Sequence, residues 1–186
     1  MKFDIALHCR HLHYVGSRAC YRTALEICKV LLNLDPSVDP LAMVLTLDFF
    51  ALRARCNQWL VDFFNTANPT RNLDQLPNMA YSVALATFHL HLETGAGKEK
   101  EDLLARSDSL LQGALLSFPS VLLSLLDKCS IEPDPSVIAC SYFLVSTTKI
   151  NTEGGKVKSF ILHLKYSEAT YLLTKIQSLL WAEILF

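Results

Sequence analysis

Glycine and proline are scarce in this chain of 186 residues, six and seven in all, and leucine is abundant. That profile leaves long stretches free to be helical. Charge is sparse too, 19% of residues against 51% hydrophobic, so most of the chain should fold into a core rather than stay disordered. The net charge of −1 and the isoelectric point near 6.6 provide no general attraction to nucleic acid or to an anionic membrane. No CxxC pair occurs among Cys9, Cys20, Cys28, Cys56, Cys129 and Cys140, and Lys2 and Asp4 precede any apolar run. Reduced thiols in an intracellular compartment, serving as small core residues, are the reading that follows. No GxxxxGK loop, no GxGxxG after a strand and no interpretable carboxylate pair is present, so phosphate-cradling and paired-acid chemistries have no footing. The longest uncharged run, between Asp108 and Asp127, has spanning length. Gln112, Ser109, Ser117, Ser120, Ser124 and Pro119 divide it into two amphipathic helices, and no membrane association is expected.

The stretch from Ala19 to Pro36 organises what is there. Ala24, Ile27, Cys28, Leu31 and Leu34 recur at three- and four-residue steps, gathering one helical face that another helix must cover. Asp35-Pro36 ends it. Tyr21, Ala24 and Pro36 keep the separations of the second half of a tetratricopeptide repeat, whereas His8, His11 and Leu12 stand where such a repeat carries Trp, Leu and Gly. An irregular helical hairpin is predicted, its first helix over residues 3–15 and Gly16-Ser17 at the turn.

A second hairpin is predicted to open at Asp39-Pro40, a capping signature followed by LAMVLTLDFFALRAR. This helix is apolar nearly all round and should lie between neighbours. Its short partner is QWLVDFFNT, with Trp59, Leu60, Phe63 and Phe64 inward. Residues 65–78, broken by Pro69 and Pro77, read as an extended connection. A third pair follows: MAYSVALATFHLHLE, then a TGAGKEKE loop, then EDLLARSDSLLQGALLSF up to Pro119. SVLLSLLDKC forms a short helix halted by SIEPDPS. NTEGGK reads as a solvent loop, and SEATYLLTKIQSLLWAEILF as a last helix capped by Ser167 that needs a partner. Its apolar Ile184-Leu185-Phe186 ending suggests a truncated or alternatively ended product.

The blocks RACYRTALEICKVLLNLDPSVDPL, LDFFALRAR, RNLDQLPNMAYSVALATFHL and LLQGALLSFPSVLLSLLDKCSIEPDPSV, in unbroken order over residues 3–137, resemble the central region of the transcription factor 25 family, also called the ribosome quality control complex subunit 1 family. That family usually carries Gly where Ala19 stands, and only a faint echo follows at Tyr171 to Trp181. Its members are longer, with a charged amino-terminal region and further hairpins. The resemblance implies a cytosolic adaptor of ribosome quality control, whose partners are a dedicated ubiquitin ligase, ubiquitin and the large ribosomal subunit. The older name implies a nuclear transcriptional repressor.

The domain reading is a helical-repeat domain over 1–136 and a divergent helical tail over 137–186. Candidate sites are few. His8, Cys9, His11 and His13 offer too few ligands at one spacing for zinc, and His89 and His91 point to different faces, so no metal is assigned. Cys20, near a helix start, is the one thiol with an argument for catalysis, but no base or oxyanion-stabilising turn accompanies it; no catalytic residue and no cofactor is assigned. Arg10, Arg18, Arg22, Arg53 and Arg55 are candidate partner contacts, most of them in a first hairpin that is locally basic with His11, His13 and Lys29. Asp48, alone in an apolar helix, should form a structural ion pair with Arg53, Arg55 or an arginine of the first hairpin. The expected fold is all-α, stacked antiparallel hairpins in an irregular tetratricopeptide-like solenoid without an enzymatic centre.

Overall fold

A computed structural model describes residues 11–12, 14–34, 39, 42–128, 130–133, 135–139 and 143. Arg10, the His8, Cys9 and His13 positions, Asp35-Pro36, the NTEGGK loop and the helix expected after Ser167 lie outside the described residues. Every regular element among those described is helical, so the chain is all-α. Seven helices follow a short helical lead over residues 11–12 and 14–17: α1 (Tyr21–Leu34), α2 (Val44–Arg53), α3 (Asn57–Arg71), α4 (Pro77–Glu93), α5 (Lys98–Ser117), α6 (Pro119–Lys128) and α7 (Pro135–Ala139). The chain forms two compact units, Met1–Leu73 and Asp74–Phe186.

In the first unit α1 buries Ala24, Leu25, Cys28, Leu31 and Leu32, a stripe that fixes which side meets its neighbours. Leu34, expected on that stripe, is 56% exposed at the last residue of the helix. Tyr21 meets Arg53 and Phe49, and Cys28 meets Thr46, so residue numbers rise on α1 as they fall on α2 and the two helices run antiparallel. Each fully buried leucine, such as Leu25 or Leu47, contributes about 2 kcal/mol by leaving water. The expected burial of α2 on all sides is corrected: Leu45 and Phe49 are 54% and 45% exposed, on a side that no element among the described residues covers. The start of α2 falls at Val44 rather than Leu41. Asp39 still supplies the cap from further back, its two carboxylate oxygens accepting from the Met43 and Val44 N–H groups at 2.9 and 3.1 Å.

Two helix ends share a device that proline and glycine counts do not reveal. Ala19 (φ 58°) and Arg55 (φ 55°) are left-handed, and each sits between paired bonds: Ala19 N–H to Gly16 O with Cys20 N–H to Val15 O, and Arg55 N–H to Leu52 O with Cys56 N–H to Ala51 O. These are Schellman ends, in which glycine ordinarily occupies the left-handed position. Ser130 (φ 53°) closes α6 the same way in the second unit, its N–H bonded to Asp127 O and the Ile131 N–H to Leu126 O.

The connection expected over residues 65–78 is instead mostly helix. α3 continues through Pro69 to Arg71, and Asn72 (φ 51°) ends it with its N–H on Asn68 O. Proline removes one donor, and so near the end of a helix it interrupts little. A 3-10 turn over Leu73–Gln75 follows, and α4 begins at Pro77, the first-turn position where a missing N–H costs nothing. On α3 Leu60 and Val61 are buried; Trp59, Phe63 and Phe64, expected to face inward, are only partly covered. The KEKE segment assigned to a loop is the first turn of α5, where Glu99 and Glu101 suit the positive end of the helix dipole.

The second unit centres on the α4–α5 hairpin. His91 pairs with Lys100 O and Ala84 O with Ser107, again an antiparallel register. Ala84, Phe88, Leu111, Leu115, Leu122, Leu126, Val137 and Phe143 form its core. α5 stops before Pro119 as expected, and Pro119 opens α6 at an angle of 101°. Among the described residues no single helix is long and apolar enough to cross a membrane. The short α7, at the edge of the SIEPDPS turn, lies where only a break was expected.

Candidate docking surface

In the first unit large side chains stand exposed on α2, at Leu45 and Phe49, and in the residues leading into α1, at Tyr14. Leu45, Phe49 and Arg53 follow each other at four-residue steps, hence on one side of α2. Phe49 packs edge-to-face on Tyr21, ring centres 6.4 Å apart, and on Phe50 at 5.2 Å. The Arg53 guanidinium lies 4.2 Å from the centre of the Tyr21 ring and donates to its hydroxyl. Planar guanidinium on an aromatic face is a favoured arrangement, worth about 0.5–1 kcal/mol when exposed. Arg18 repeats it on Tyr14 at 4.4 Å, and Tyr14 is 53% exposed. On another side of the unit Lys29 covers Trp59 at 4.2 Å while held by Glu26 at 2.7 Å, and Trp59 stacks on Phe63.

The sequence-chosen arginines therefore part ways. Arg18 and Arg53 are drawn onto tyrosines; Arg22 is exposed on α1 beside Tyr21; Arg55 is exposed in the left-handed corner after α2. Asp48 is buried on α2, with only 4% of its surface exposed, and is engaged within the protein.

The cysteines also divide. Cys28 is buried without solvent contact, and burial pushes its thiol up to about 11. Cys20 is exposed in the corner before α1, its Sγ 3.6 Å from Arg18 O, which corrects its assignment to the core. Among the described residues no group of three or more His, Cys, Asp or Glu side chains is gathered as for a metal.

Sequence reasoning passed over the most unusual polar residue, Asp108 of α5. It is 7% exposed, and among the described residues neither carboxylate oxygen has a hydrogen-bond donor. Burial raises its pKa, partly offset by the nearby His91, which stacks on Phe88 and points Nδ1 at Lys100 O 2.8 Å away. The signal was present: Leu104, Asp108, Leu111 and Leu115 share one helical stripe. Beside it Ser107, fully buried, donates to Ala84 O at 3.0 Å, and Tyr81, its hydroxyl pKa raised by burial, donates to Phe118 O at 3.1 Å. These groups lock the hairpin rather than face solvent.

Comparison with known proteins supplies what the geometry alone does not. Residues 2–180 match the family model described as transcriptional repressor TCF25, a longer stretch than the four sequence blocks spanned. The chain is 44% identical over 142 residues to the human protein named ribosome quality control complex subunit TCF25, which covers 76% of this chain and 21% of that protein. The mouse protein of the same name is 43% identical over 135 residues, 72% of this chain and 20% of its own length. A Schizosaccharomyces pombe protein, ribosome quality control complex subunit 1, is 44% identical over 85 residues, 46% of this chain and 13% of its own. The chain thus spans about a fifth or less of the length of these curated relatives. No solved structure matches.

Proposed function

The chain belongs to the TCF25 family, and from that premise we propose that it is a non-enzymatic adaptor of ribosome-associated quality control. Its role is to support ubiquitination and degradation of stalled nascent chains on the large ribosomal subunit in the cytosol, through contacts with the dedicated ubiquitin ligase and ubiquitin. The observation that carries the reading is the extent of the family match, together with relatives named as subunits of the quality control complex. The described architecture is compatible with it: paired helices with exposed apolar and cationic side chains suit holding other proteins, as tetratricopeptide-like arrays do.

The test is co-sedimentation after induced translational stalling, with this chain and a full-length relative compared side by side. Presence of the chain in large-subunit fractions together with ubiquitinated nascent chains and the ligase is the expected result. The family model's description as a transcriptional repressor favours a second reading, a nuclear co-repressor. Absence from those fractions combined with repression of a promoter to which the chain is tethered selects it.

A further inference from the structure

We draw no further inference here: the strongest candidate, the apolar surface patch of Leu45 and Phe49 on α2, carries nothing because nothing in the structure shows what covers it.

Discussion

Replacing Asp108 by Asn should make the protein more stable at neutral pH, an unusual direction for a buried residue. Both carboxylate oxygens are shut away from water with no donor, so the ionised form receives neither solvation nor hydrogen bonds in return for burial. Burial accordingly raises the folded-state pKa above the ordinary 3.8, with the His91 charge working in the opposite direction. For an acid with a raised folded pKa, the folded state keeps a proton that the unfolded state has released. Its contribution to stability is therefore complete below about pH 4 and is lost as pH climbs through the folded value. The slope can reach about 1.4 kcal/mol per pH unit. An uncompensated buried polar group costs about 1–3 kcal/mol, and Asn removes the charged part of that cost while keeping the shape. Urea unfolding of both proteins from pH 4 to pH 8 should show no difference at the acid end and a gain of about 1–3 kcal/mol for Asp108→Asn at pH 7. On a chain of this size that is about 2–4 °C in Tm for each kcal/mol. A difference that fails to grow with pH, or an Asn variant less stable than the parent at pH 7, would show that the carboxylate is satisfied in solution. The same series in a His91→Gln background, which removes the opposing charge, should widen the gap.

Ala19→Gly should stabilise the first unit by about 0.5–1 kcal/mol, because the left-handed conformation that strains alanine suits glycine, less the greater freedom glycine has when unfolded; a lower urea midpoint would contradict it. Cys28, whose thiol is pushed from 9.0 to about 11, stays protonated in the fold while the unfolded chain ionises, so stability should fall by about 1.4 kcal/mol per unit between pH 9 and pH 11. Cys28→Ala should flatten that decline. In the native state Cys28 should resist alkylation while the exposed Cys20 reacts no faster than a model thiol; a much faster Cys20 would revive a thiol enzyme. Asp48→Ala should lower stability by about 2–4 kcal/mol, the loss expected when one member of a buried ion pair is removed, and an unchanged melting temperature would exclude such a pairing.

Much of the helical content is legible in the chain itself. The Ala24, Cys28 and Leu31 spacing gives α1 its buried side, Pro119 divides α5 from α6, and Asp39 announces a cap, all because these depend on backbone donors and on a 3.6-residue period. Boundaries are less legible where residues act against habit. Pro69 sits inside α3, and three helices end on Ala19, Arg55 and Ser130 in positions usually marked by glycine; Gly16-Ser17 and SIEPDPS announce two of those breaks, but nothing local announces which residue turns left-handed.

The sequence by itself determined that the chain is helical, which residues can line a core and, through its ordered blocks, which family it joins, since period and composition are local properties. Tertiary packing alone decided the rest: that Phe49 and Leu45 face outward, that Arg53 settles on Tyr21 thirty-two positions away, and that Asp108 lies buried without a donor. Those outcomes depend on which helix faces are covered, and coverage is a property of neighbours distant along the chain.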